Sequence, residues 1–182
     1  YELYYQNEPP TVTPEMQNTK IVEAEVWIMK TGNVLDPTQR HGTAFINLAE
    51  RQAGYPPDLQ SVLDTAGAVE TGDFVKLDPG QYDLGGDGYT GVLSLNQNVR
   101  DELIIAIAYR TADGKQFGDL TRNTTDTSRR LILKMVKPKN LLAVGRAYPK
   151  AWNQLLKNIY TLGTRNLKKE GFTLNIFRRV NG

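Results

Sequence analysis

Cysteine is absent from this 182-residue chain, and histidine occurs once. The first absence excludes disulfide frameworks, thiolate metal sites and cysteine nucleophiles together, although it does not fix a compartment. The second leaves His41 in the stretch Thr38-Gln39-Arg40-His41-Gly42 without a serine or a second ligand type beside it. Neither a histidine triad nor a zinc site then has its partners, and a surface-loop histidine is expected. The serines are only Ser61, Ser94 and Ser128, none of them in a Gly-x-Ser-x-Gly elbow, so hydrolase mechanisms lose their support. Long apolar runs are missing as well. No window approaches the roughly 18 to 20 residues of a membrane helix, and Tyr1-Glu2-Leu3-Tyr4-Tyr5 lacks the basic and apolar regions of a signal peptide. A soluble chain is expected, and its start at Tyr1 and end at Gly182 suggest a piece of a longer protein.

What is present is ordinary for a globular protein: 40% hydrophobic and 23% charged residues, with scattered aromatics. A chain of this length fills one domain, burying roughly 70% of the surface it exposes when unfolded. Residues 6 to 19 carry three prolines and almost no apolar side chain, so neither a ladder nor a helix is expected to propagate there. We read 1–20 as a lead-in and 21–182 as a single domain. The net charge of +2 conceals a split. Residues 1–121 hold 8 Lys+Arg against 18 Asp+Glu, a balance of −10, and residues 122–182 hold 14 against 2, a balance of +12. Either the halves neutralise each other within one domain, or a basic face awaits an acidic partner.

Strand signals dominate the chain. From Ile21 to Met29 the apolar residues fall at Ile21, Ala24, Val26 and Ile28, with Trp27 on the other face, and a Gly32-Asn33 turn follows. Thr43 to Ala49 predicts a second strand, and Asp58 is a candidate cap for one helical turn. Phe74 to Leu77 precedes the turn Asp78-Pro79-Gly80, and Val92 to Leu95 follows a glycine cluster. Leu103 to Tyr109 is a continuous apolar run. Asp113-Gly114 then predicts a type I′ turn, and Lys115 to Phe117 the return strand. Leu131 to Val136 is another strand, closed by Pro138. Trp152, Leu155, Leu156, Ile159 and Leu162 have the spacing of an amphipathic helix, and Phe172, Leu174 and Ile176 that of a closing strand. The sum is a mainly β chain, expected as an antiparallel, jelly-roll-like β-sandwich with one amphipathic helix near the C-terminus.

Motifs that carry chemistry are weak. Gly86-Asp87-Gly88-Tyr89-Thr90-Gly91 matches Gly-x-Gly-x-x-Gly, but a strand follows where a dinucleotide site needs a helix, and Asp87 would repel phosphate. Asp83 and Asp87 are calcium candidates, yet Gly85 and Ser94 stand where further oxygen ligands belong, so a turn between strands is expected. Asn123-Thr124-Thr125 is a glycosylation sequon, informative only in a eukaryotic secretory setting. No catalytic, cofactor or metal residue emerges. Arg129, Arg130, Lys134, Lys137, Lys139, Arg178 and Arg179 are the basic residues that would face a partner, but interleaving with Leu131, Ile132, Leu133 and Met135 fits a half-solvated strand, and nucleic acid is not expected.

Several segments taken in order resemble the SprA family, outer-membrane translocon proteins of type IX secretion and gliding motility. They are Glu25-Val26-Trp27-Ile28 with the Thr31-Gly32 turn, Asn47-Leu48-Ala49-Glu50, Leu77-Asp78-Pro79-Gly80 with Tyr82, and Gly91 to Gln97. Tyr109 to Asp119, Leu131 to Pro138 and Trp152 to Tyr160 complete the series, which spans about residues 21–177. Ala49 departs from a family glycine, Asp119 from a glutamate, and the loop Asp83 to Tyr89 is richer in glycine. The resemblance implies an exported, non-enzymatic scaffold domain at the cell surface or in the periplasm, contacting the rest of its own chain and other translocon proteins, with no cofactor. A carbohydrate-binding sandwich that stacks sugars on Trp27, Tyr82 or Tyr89 is the alternative, for which those rings must be exposed.

Overall fold

Alternation along Ile21–Met29 (β1) places Trp27 on one face and Val26 and Ile28 on the other, and both faces are buried. A strand covered on both sides needs two layers of neighbours, and the computed structural model of the chain supplies them. It describes residues 11–30, 36–50, 69–123 and 128–139, with isolated positions between 154 and 177. The inner layer is a barrel. Arg40–Phe45 (β2), Val69–Lys76 (β3), Ile104–Thr111 (β6) and Leu131–Lys137 (β8) join β1 in the order β1-β3-β2-β8-β6, and β6 returns to pair with β1. The β2–β8 pair is parallel and the other four are antiparallel. Tyr82–Leu84 (β4) and Leu93–Leu95 (β5) form a separate hairpin, and Gln116–Phe117 (β7) extends the ladder of β6 beyond the start of β8.

The expected antiparallel sandwich is therefore corrected to a closed, mixed barrel within a mainly β chain. The physical reason is the long β1–β6 pairing, from Ile21 opposite Thr111 to Met29 opposite Ile104, which joins what would be the two free edges of a sheet. Closure removes those edges and requires tilted, staggered strands. Trp27, Ala44, Ile46, Phe74, Ile104, Ala106, Ala108, Leu120, Leu131, Leu133 and Met135 fill the interior. Outside, Val26, Ile28, Ile105 and Ile107 are covered by Tyr82, Leu93 and Leu95 of the hairpin. The continuous apolar run of β6 follows directly, since both of its faces are buried.

Local chemistry explains several departures from the sequence pattern. Thr13 caps a six-residue helix, Pro14–Thr19 (α1), with Pro at its first turn and Met16 buried, where no helix was expected. Proline breaks a helix only in its interior and favours its first position. His41 lies in β2 rather than in a loop. The hairpin after β6 is not type I′. Gly114 takes φ +86°, whereas Asp87 is the only non-glycine with positive φ among the described residues, so Asp113 does not. The Gly114 amide donates to the Thr111 carbonyl at 2.9 Å, which makes a three-residue loop with glycine as the bulge. Asp113 is held in that geometry by Thr111 Oγ1 and the Lys115 amide. The candidate cap Asp58 and most of the helix expected at Trp152 to Leu162 lie outside the described residues. Of the expected closing strand, Phe172, Thr173, Asn175 and Phe177 are described; they are exposed and in no strand, and the closed barrel offers no edge to receive them.

Candidate functional site: the polar lower end of the barrel

β1, β2 and β8 begin at one end of the barrel, here called the lower end, where β3 and β6 finish. Glu23 and Glu25 share the Trp27 face of β1, which turns two carboxylates toward the barrel mouth. A carboxylate turned inward must find donors or destabilise the fold. Glu25, only 7% exposed, finds four groups. It accepts from the Thr121 amide at 2.9 Å, from Thr121 Oγ1 at 3.0 Å and from the Arg122 amide at 3.1 Å, and it pairs with Lys76 Nζ at 3.4 Å. Those amides open the 3-10 turn Thr121–Asn123, whose preceding Leu120 enters the core, so one carboxylate fixes the plug that closes the barrel. Lys76 also donates to Thr121 Oγ1 and lies 5.8 Å from the Trp27 ring centre. The Trp27 indole N–H is buried without a hydrogen-bond partner.

A second carboxylate does the same work at the other stem of this connection. Asp119, also 7% exposed, accepts from the Ile132 amide at 2.9 Å, and its own amide donates to the Ile132 carbonyl at 2.7 Å. The segment between Asp119 and Ile132 is thus zipped at its base. Arg40 donates to the Arg129 carbonyl at 3.3 Å, a third tie. Around the rim, Arg110 binds Glu23 at 2.9 Å and Arg122 approaches it at 3.9 Å. Lys115 pairs with Asp113 at 2.8 Å, and this contact with Thr111 holds the Asp113 carboxyl down at about 2.

The basic residues singled out in the sequence do not share a face. Arg129 and Arg130 are exposed at the lower end. Lys137, at the upper end, donates to the carbonyls of Asp101 at 2.9 Å and Leu103 at 2.8 Å, and burial pushes its ammonium pKa down against the opposing pull of Asp101 and Glu102. Lys134 donates to the Ile46 carbonyl at 3.3 Å, again with burial lowering its pKa. Lys139 pairs with Glu70 at 3.2 Å. Arg178 and Arg179 lie outside the described residues. Lys139–Glu70 and Arg122–Glu23 are ion pairs between the basic and acidic parts of the chain.

The remaining candidates resolve as parts of the scaffold. His41 Nδ1 lies 3.0 Å from Asp73 Oδ1 on the outer face. The Gly-x-Gly-x-x-Gly stretch joins β4 to β5, as a turn between strands, and Gly88 at φ +87° packs so closely on the Ile21 carbonyl that a Cβ would stand 2.3 Å from it. Asp83 and Asp87 are exposed there, and no group of three or more potential metal ligands occurs among the described residues. Of the sequon, Thr124 and Thr125 are outside the described residues. Trp27 is 1% exposed and cannot stack on a sugar; Tyr82 donates to the Ala24 carbonyl at 3.1 Å, and Tyr89 lies 4.4 Å beneath Lys20.

Sequence reasoning passed over Glu25, Lys76, Asp119 and Thr121 as a cluster. The available signal was the charged residue at every second position of Glu23-Ala24-Glu25-Val26, next to a tryptophan on the same face. No family profile matches the chain, and no curated protein matches it either.

Proposed function

We propose that this barrel is a non-enzymatic structural and interaction domain of a SprA-like outer-membrane translocon, serving protein export and gliding motility from the cell surface or the periplasm. Its partners are the rest of its own chain and other translocon proteins. The observation that carries the reading is where the resembling segments lie. Glu25 to Ile28 of β1 and the Tyr109 to Asp119 hairpin are adjacent in the barrel, and Leu131 to Pro138 pairs with β6. Leu77 to Tyr82 and Gly91 to Gln97 form the cover outside β1, tied to it by the Leu77 amide on the Val26 carbonyl at 2.8 Å and by the Tyr82 hydroxyl on Ala24. These five segments, scattered in sequence, are contiguous in space, as a shared domain requires, while most of Trp152 to Tyr160 lies outside the described residues.

The chemistry of the charged groups also supports a scaffold. Glu25, Asp119 and Lys137 each bind backbone groups from distant segments, the work of fixing a shape. The test is retention of a purified SprA-family translocon, lacking its own copy of this domain, on the immobilised chain. We expect specific retention; none at micromolar concentration overturns the proposal.

A further inference from the structure

We infer that the free edge of β5 pairs with the same edge of a second copy of this chain, joining two hairpins into one continuous sheet around a two-fold axis at Ser94. This goes beyond the scaffold reading and stands without it. The closed barrel offers no edge, but the β4–β5 hairpin is a separate two-stranded sheet whose outer sides are open. The phase of its hydrogen bonds decides which backbone groups face outward. The Gly85 amide donates to the Val92 carbonyl and the Asn96 amide to the Gln81 carbonyl, each at 2.9 Å. Asp83 and Ser94, midway between them, are therefore the hydrogen-bonded pair. It follows that the N–H and C=O groups of Leu93 and Leu95 point away from β4, and no other described strand pairs with them. The Leu93 and Leu95 side chains pack onto the outer residues of β1 and β6, which leaves Ser94 exposed on the surface.

The occupant follows from the edge itself. Sheets guard an exposed edge with charge, above all lysine, or with proline. β5 has neither: residues 88–99, which contain it, are the longest stretch of the chain without Asp, Glu, Lys or Arg, and they hold no proline. A second β5 laid antiparallel sets Leu93 of each copy opposite Leu95 of the other. Both pairs then exchange N–H and C=O, and the two Ser94 side chains meet across the axis with no charge to oppose them. β4 is guarded against the same pairing, because its exposed centre is Asp83 and two copies would bring carboxylates face to face. A charged peptide finds no counter-ion on this edge, whereas a second copy presents the matching register by symmetry. The interface is small, so the dimer is weak and reversible.

Sedimentation velocity and amide hydrogen exchange on the full 182-residue chain, from roughly 10 μM to 1 mM, test this. We expect a concentration-dependent dimer in which exchange at the Leu93 and Leu95 amides slows as concentration rises. The Ser94 amide, bonded to Asp83 within the hairpin, should be protected throughout. Ser94→Glu brings two carboxylates together across the axis, with an Asp83 beside each, and should weaken the dimer about tenfold or more. Mixing it with Ser94→Lys should restore association as a heterodimer. Thermal unfolding checks that each variant keeps its fold. A chain that stays monomeric to about 1 mM overturns the inference, as does a dimer that Ser94→Glu leaves unchanged or a mixture that fails to associate. So does a dimer without slowed exchange at Leu93 and Leu95, because its contact then lies on another surface.

Discussion

The two ends of the barrel handle charge in opposite ways. At the upper end cations tie the strand ends: Lys137 gathers the carbonyls of the connection before β6, Lys134 holds the end of β2, and Lys139 meets Glu70. At the lower end the anions turn inward, with Glu25 and Asp119 gathering amides, and the arginines are left outside. Both ends solve one problem, the backbone groups left over where strands finish, with ions of opposite sign. The lesson is that a basic run such as Arg129 to Lys139 is not one surface. Arg129 and Arg130 precede β8 at one end, and Lys137 and Lys139 lie at its finish at the other.

Removing an anchor at the lower end should cost the most. Glu25→Ala leaves two amides and Lys76 without their acceptor, and we expect a loss of about 3 kcal/mol in urea unfolding. Glu25→Gln, which keeps an acceptor oxygen, should lose about half as much. A loss under 1 kcal/mol for the alanine variant would show that the plug stands without its carboxylate and break the contrast. The upper end should respond less: Lys137→Met keeps the apolar stem and removes the donor, at a cost of about 1 to 2 kcal/mol. If it equals or exceeds Glu25→Ala, the asymmetry between the ends is wrong.

Acid sharpens the comparison at the lower rim. The folded pKa of Asp113 lies below its ordinary value of 3.8, at about 2, so its contribution is present above the ordinary value and fades as pH falls toward the folded one. Amide exchange at Gly114 and Lys115 should therefore accelerate between these limits, and Asp113→Asn should abolish the pH dependence. Unchanged protection down to the lower limit would remove the carboxylate from the turn. The smallest effect is expected for Arg129→Ala/Arg130→Ala, within about 0.5 kcal/mol of the parent in urea, since exposed side chains contribute little to stability. A larger loss would mean that these arginines are structural.

Much of the strand content was legible because burial leaves periodicity. β1 shows it as alternation, and β6 shows it as an unbroken apolar run because core and hairpin cover its two faces. The turn after β6 was placed correctly by Gly114 and mistyped, since sequence marks where a positive φ is tolerated but does not count the residues in the loop. The α1 helix was hidden by its prolines, although Thr13-Pro14 is a helix start as well as a break. β2 was expected late, at Thr43, because Arg40, His41 and Gly42 carry no apolar signal. They belong to the strand through their pairing with Phe74, Asp73 and Gly72.

By itself the sequence determined the absence of thiol chemistry, a mainly β chain, the strands Ile21–Met29 and Leu131–Lys137 to within a few residues, and the split of charge along the chain. These depend on residue type and short spacing, which act locally. Only the tertiary structure decided that the strands close into a barrel with one parallel pair, that Glu25 meets Thr121 and Asp119 meets Ile132, and that the basic run divides between two ends. Those outcomes depend on which distant segments become neighbours. A carboxylate on a strand has the same local pattern whether it faces water or an amide, and the partner that distinguishes the two lies far along the chain.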